Sequence, residues 1–253
     1  MMDDQKQPEA PKAAAPPARS NRKWIAIAIG GGCALLACAG LVVALVLTVL
    51  YPAIRQTGRV PTPAAEPVLV PTEAPSGIQQ SGNTLGDPGA PVKLIEYADF
   101  QCPYCRQYWQ DTEQQVIENY VKTGKVYYEY RSVGGFLGEE SQAAAEAVYC
   151  AGDQGKFWQY RDALFSHWTG ENVGDFTPER LQQYAASLGL DRVAFEQCLS
   201  SGKQSGRVQQ DLDNAKRDGI KATPSFLING KLIEGAAPFA TFQQVIDEAL
   251  QGK

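Results

Sequence analysis

Val92-Lys93-Leu94-Ile95-Glu96-Tyr97-Ala98, then Asp99-Phe100-Gln101, then Cys102-Pro103-Tyr104-Cys105, is the stretch on which the fold turns. The first seven residues are nearly continuous apolar sequence and predict a strand buried on both faces. The strand hands over to a helix whose first turn holds Pro103, where a missing N–H costs nothing. Unpaired backbone N–H groups and the positive end of the helix dipole favour an anion at that position. A cysteine there ionises more readily than a free one, and the thiolate is the reactive species, so Cys102 is the candidate nucleophile. Cys105 lies one turn on, close enough to close a disulfide with it. Zinc sites use the same spacing but need about two further ligands. The chain has one histidine, His167, and its other cysteines are scattered, so a redox dithiol is the reading.

Outward from the motif, residues 111–123 continue the helix and Gly124 ends it. Lys125 to Arg131 alternates apolar and polar residues around three tyrosines, a strand signal. From Glu139 to Arg217 the period turns helical. Ala143, Ala147 and Cys150 share one face there, as do Phe157, Tyr160, Leu164 and Phe165. Thr177-Pro178 and Asp191 start further helices. Ser225–Ile228 and Lys231–Ile233 flank Asn229-Gly230, a two-residue hairpin signal, and Phe242–Leu250 closes as a helix. Periodicity alone gives an α/β or α+β domain. Glu96 stands out as a carboxylate within an apolar strand. It either faces solvent or carries a raised pKa and a purpose. Asp99 is expected to be a loop or helix-cap residue, and His167 a helix-end surface or core residue.

The chain of 253 residues divides by composition. Residues 1–23, polar and rich in Ala and Pro, read as a disordered cytoplasmic tail. Trp24–Leu50 carries no charge and would run about 40 Å as a helix, enough to cross a bilayer. Trp24 and Tyr51 fall at interfacial positions, which sets the span at 24–51. Arg19, Arg22 and Lys23 crowd its N-terminal flank, which keeps the tail inside and sends the rest out. A cleaved signal peptide would have a shorter apolar core. Leu35-Leu36-Ala37-Cys38 resembles a lipoprotein cleavage box, but the chain stays apolar from Ala39 to Leu50. Cys33 and Cys38 are tolerated small residues on this reading. Residues 52–85, with Pro61, Pro63, Pro67, Pro71 and Pro75, predict a semi-extended linker. The folded domain is then 86–253. Residues 82–253 hold 16 Lys and Arg against 23 Asp and Glu, a net charge of −7, which disfavours a nucleic-acid partner. Outside the membrane its cysteines read as disulfide chemistry, and Cys150 with Cys198 as a structural disulfide or, alternatively, two reduced buried thiols.

Gly86-Asp87-Pro88-Gly89-Ala90-Pro91-Val92, the strand and Asp99–Cys105 together resemble the opening of bacterial DsbA-like thiol–disulfide oxidoreductases of the thioredoxin superfamily. The resemblance continues through Ala147-Val148-Tyr149-Cys150-Ala151 and Gln154-Gly155-Lys156-Phe157-Trp158. It returns at Gly219-Ile220-Lys221-Ala222-Thr223-Pro224-Ser225-Phe226, so it covers about residues 82–253. It implies a thioredoxin fold with a helical insertion at about 137–217. It implies Cys102 as the sulfur that substrates engage, Cys105 as its resolving partner, and Glu96 as a buried acid exchanging a proton with Cys105. Thr223-Pro224 would be the cis-proline loop that offers its backbone to the substrate, beside Pro103 and Tyr104. Some strongly oxidising members carry histidine where Tyr104 stands, so a milder oxidant is expected. No cofactor beyond the redox-active disulfide and no metal is implied. The partners implied are reduced exported proteins and a membrane thiol oxidoreductase that restores the disulfide. A reductase or isomerase of the same fold, a membrane-tethered holdase and a metal-delivery protein are the rivals.

Overall fold

The computed structural model describes residues 77–252. The tail, the Trp24–Leu50 span with Cys33 and Cys38, and the linker up to residue 76 lie outside the described residues. No helix among the described residues is long and apolar enough to cross a membrane.

Among the described residues, six strands form one sheet in the order β1-β2-β4-β3-β5-β6: β1 Gln80–Ser81, β2 Thr84–Leu85, β3 Val92–Ala98, β4 Val126–Ser132, β5 Ser225–Ile228 and β6 Lys231–Glu234. Of these strands only β3 and β4 run parallel, with Leu94 opposite Tyr128 and Glu96 opposite Tyr130. Their crossover is helix α1, Pro103–Tyr108, which continues through wider π turns at Trp109–Glu113 and Ile117–Val121 around Gln114–Val116. Between β4 and β5 comes a helical block: α2 Glu139–Gly152, α3 Phe157–His167, α4 Pro178–Ser187, α5 Arg192–Ser200 and α6 Ser205–Arg217. Helix α7, Phe239–Leu250, closes the chain.

Two expectations need correcting. The segment 80–85, read as linker, belongs to the sheet. Thr84 and Leu85 pair with Glu129 and Tyr128, and Leu85 is fully buried. Two-residue strands are too short to show alternation, so the sequence carries no signal for them. Gly86 follows with φ +91°, and a Cβ there would lie 2.7 Å from the Val126 carbonyl oxygen, so only glycine fits the turn into the sheet. Strand β3 is also not buried throughout: Lys93 is exposed and Ile95 half-buried. Its period-2 alternation sends Val92, Leu94, Glu96 and Ala98 to one face. Val92, Leu94 and Ala98 join the main core there, whereas Tyr97 joins a smaller cluster with Val133, Ala215 and Ile220.

That alternation positions the site. Helix α1 packs its buried residues Cys105, Tyr108, Thr112, Glu113 and Val116 inward, and Glu96 is in electrostatic contact with Cys105, Tyr108 and Glu113. Small residues Ala144, Ala145, Ala147 and Ala151 line the buried face of α2 and let its neighbours approach. Asn229 and Gly230 both take positive φ, 47° and 88°, in the turn that joins β5 to β6.

Candidate active site

Cys102 caps α1 from an extended conformation, φ −79° and ψ 119°, with Pro103 as the first helical residue. Its backbone N–H donates to the Asp99 carbonyl at 3.1 Å, closing the turn between strand and helix. Both cysteines are free thiols, Cys105 fully enclosed and Cys102 5 % exposed. The Cys102 thiol lies 3.2 Å from the Thr223 carbonyl oxygen, to which it donates, and the Thr223–Pro224 bond is cis. The structure thus brings Cys102, Cys105, Thr223 and Pro224 to one place. Pro103 and Tyr104 flank them on the surface, Tyr104 at 61 % exposure.

The two sulfurs differ in acidity. Cys102 is lowered to about 6, first by a hydrogen bond from the Cys105 thiol. The Thr223 side chain and the backbone N–H groups of Cys105 and Tyr104 add to this, against the opposing effect of burial. Cys105 is pushed well up by burial, by its bond to Cys102 and by the charges of Cys102 and Glu96, although the Asp99 N–H lies 3.4 Å from its sulfur. One thiolate with an edge at the surface beside one protonated, fully enclosed thiol is what a nucleophile and its resolving partner require.

Glu96 is 1 % exposed and raised to about 8, by burial and then by the neighbouring Glu113. Asp99, read as a loop or cap residue, is buried as well as local. It accepts from the Gln101 N–H at 2.8 Å, a local turn bond, and from the Ser141 hydroxyl at 2.5 Å, and burial raises it to about 6. Gln101 in turn accepts from the Asn172 N–H at 2.7 Å, so the strand-to-helix turn is fastened to the helical block. His167 ends α3, half-buried, its ring 4.8 Å from that of Tyr184.

Cys150 and Cys198 sit elsewhere, bridged between the ends of α2 and α5 with Cα atoms 5.8 Å apart. No group of three or more His, Cys, Asp or Glu residues among the described residues is arranged to hold a metal ion.

Sequence reasoning did not single out Tyr128, Glu113 or Arg161, which surround Glu96. All three are buried, and Arg161 pairs with Glu113 and, at 2.7 Å, with Asp162. A signal existed: Glu113 stands on the stripe of Cys105, Tyr108 and Val116, and Arg161 lies within the aromatic run 157–165. A charge on an apolar stripe asks for a buried partner.

The thioredoxin family model matches residues 79–248, about two thirds of the chain. Probable disulfide bond formation protein D of Bacillus anthracis is 30 % identical over 173 residues, covering 66 % of this chain and 78 % of that one. Na(+)/H(+) antiporter NhaA 1 of Salinispora arenicola is 33 % identical over 164 residues, 64 % of this chain, but this chain spans only 24 % of its length. Among solved structures, BdbD of Bacillus subtilis superposes with a TM-score of 0.61 at 23 % identity, covering 67 % of this chain and 93 % of that one. Wolbachia pipientis alpha-DsbA1 gives 0.57 at 29 %, with 66 % and 89 % covered. The fold, the order of the motifs and these relatives lead to one conclusion: the chain belongs to the thioredoxin family, among its DsbA-like thiol–disulfide oxidoreductases.

Proposed function

We propose that this protein is an extracytoplasmic dithiol oxidase that introduces disulfides into exported proteins through the Cys102–Cys105 pair. The observation that carries the direction is the acidity of Cys102, lowered to about 6 beside a Cys105 that is raised. A stabilised Cys102 thiolate favours the reduced pair, and a pair that prefers to be reduced oxidises others. With the pair oxidised, a substrate thiolate attacks the Cys102 sulfur, the Cys102–Cys105 bond breaks, and Cys105 leaves as a thiolate. Cys105 takes up a proton, for which Glu96 is the donor. A second substrate thiolate then attacks the substrate sulfur of the mixed disulfide and releases Cys102 as a thiolate. Two electrons have passed from substrate to protein. The Thr223 backbone and the Pro224 loop receive the substrate chain in extended form, with Pro103 and Tyr104 as the facing surface. Trp24–Leu50 anchors the domain outside the cell membrane, and a membrane thiol oxidoreductase restores the Cys102–Cys105 bond.

The test is the reduction potential of the pair in the purified domain, together with its action on a reduced unfolded protein. A potential above thioredoxin's roughly −270 mV and disulfides formed in the substrate are expected. A potential at or below that value, with substrate disulfides reduced and none formed, refutes the oxidase direction in favour of a reductase. No disulfide exchange in the wild type, with binding of unfolded protein unchanged in Cys102→Ser, would favour a membrane-tethered binding or holdase module.

A further inference from the structure

The chemistry proposed for Cys105 leaves three buried groups unused: Tyr128 on β4, Glu113 on α1 and Arg161 on α3. Tyr128 Oη lies within hydrogen-bond distance of two carboxylates, contacting Glu96 Oε2 and, at 3.0 Å, Glu113 Oε1. Its hydroxyl has one proton and can donate along only one of these contacts. The other must be a bond in which a carboxyl donates to the Tyr128 oxygen, so one carboxyl of the two is protonated. Which one is settled by Arg161. Its guanidinium engages both Glu113 oxygens, Nη2 to Oε2 at 2.7 Å and Nη1 to Oε1, and this bidentate pair requires Glu113 to be ionised. Among the described residues no guanidinium hydrogen bond reaches Glu96. Burial pushes both carboxyls up, but of the two only Glu113 has a directly bonded cation to offset it.

We infer that Tyr128, Glu113 and Arg161 form a directed hydrogen-bond chain that keeps the proton on Glu96. Glu96 donates to Tyr128, Tyr128 donates to Glu113, and Glu113 is held as an anion by Arg161. Glu113 is then a positioning residue, acting through Tyr128 on the acid beside Cys105. The other titratable groups facing Glu96 do not compete for this role. The phenols of Tyr108 and Tyr130 and the thiol of Cys105 are raised well above their usual values, first by burial, so all three stay neutral. Arg161 is further tied to Asp162, through Nη2 at 2.7 Å and Nε at 3.1 Å, and Trp109 Nε1 donates to the same Asp162 oxygen at 3.0 Å. This second anchor holds the guanidinium in place when Glu113 is altered. The inference rests on the proposed proton exchange between Glu96 and Cys105 for its use, but not for its geometry.

Glu113→Gln tests it. The amide removes the anion, frees the Tyr128 proton to donate to Glu96, and leaves the Arg161 charge to favour an ionised Glu96. The infrared C=O stretch of the protonated Glu96 acid is followed against pH in the reduced full chain, with Glu96→Gln identifying the band. Wild type should show the band at neutral pH. In Glu113→Gln the proton affinity should fall at least about tenfold, one pH unit. A band absent at neutral pH in wild type, or a midpoint unmoved in a folded Glu113→Gln protein, overturns the inference. Should Glu113→Gln fail to fold, Tyr128→Phe replaces it. Losing its acceptor, the Glu96 acid should then absorb at the higher frequency of an unbonded carboxyl, and an unmoved band overturns the chain. If the band behaves as expected but exchange rates keep the same pH profile, the hydrogen-bond chain stands and the role of Glu96 at Cys105 falls instead.

Discussion

Cys102 and Cys105 stand one turn apart at the start of α1, whereas Cys150 and Cys198 are separated by 48 residues and bridged between α2 and α5. Cys102 meets first the Cys105 thiol and then backbone N–H groups at the positive end of a helix dipole. Cys150 and Cys198 both lie in the last turn of their helices, where carbonyl groups and the negative end of the dipole disfavour a thiolate. Thiolate is both attacker and leaving group in exchange, so the first pair is placed to react and the second to remain joined. A cysteine's immediate surroundings separate the two pairs: a neighbouring thiol and the N–H groups of a helix start for Cys102, the carbonyl end of a helix for Cys150 and Cys198.

Removing each pair of cysteines separately should have opposite consequences. Cys102→Ser should lower oxidation of a reduced substrate by at least about a thousandfold. The double variant Cys150→Ala, Cys198→Ala should keep exchange within about threefold, because neither sulfur is in the reaction. Loss of exchange in the double variant would mean that the second pair takes part.

The same double variant should lose stability instead. By loop-closure entropy, a bridge across this separation contributes about 4 kcal/mol. Denaturant unfolding at fixed pH measures it. A loss below about 1 kcal/mol would show that the helical block holds together by packing alone.

Glu96 supplies a smaller effect of known sign. Its folded value is raised from 4.5 to about 8, so between those limits the native state holds a proton that the unfolded state has released. Native stability therefore falls as pH rises through this window. Glu96→Gln should gain about 1–3 kcal/mol at pH 7 and nothing below pH 4.5. Equal stability of the two proteins at both pH values would place the carboxyl in an ordinary solvated state.

The smallest expected change is at Tyr104. The ultraviolet absorbance of the Cys102 thiolate should titrate near 6 in the reduced protein. Because that value is depressed, the extra stability of the reduced form is present at high pH and lost as pH falls through about 6. Tyr104→His places a cation beside the sulfur and should lower the midpoint by up to about one unit, raising the potential by about 30 mV. A wild-type midpoint near 8.5, with no response to histidine, would remove the helix-start argument for Cys102.

Much of this was legible because it depends on neighbours in the chain. The strand, the proline at the first helical position and the Cys-x-x-Cys spacing are all local, and local sequence places a thiol at a helix start. The caps at Thr177 and Asp191 accept backbone N–H groups two or three residues on, again a local matter. Strands β1 and β2 were not legible, since β2 is a strand by pairing with the distant β4 and β1 by pairing with β2, rather than by any periodicity of their own. The surroundings of Glu96 were hidden for the same reason. Tyr128, Glu113 and Arg161 come from β4, α1 and α3, and nothing within any one segment says that they meet.

Local sequence was enough to place both thiols and to favour ionisation at Cys102, because the Cys105 thiol and the backbone N–H groups of Tyr104 and Cys105 that stabilise its thiolate belong to the same helix turn. The tertiary structure alone decided how the protons around them are held. It folded Thr223 against Cys102 across 121 residues and enclosed Cys105. It also set a tyrosine between two carboxylates with one guanidinium to choose between them. Burial and long-range charge set those affinities, and both exist only once distant segments have packed together.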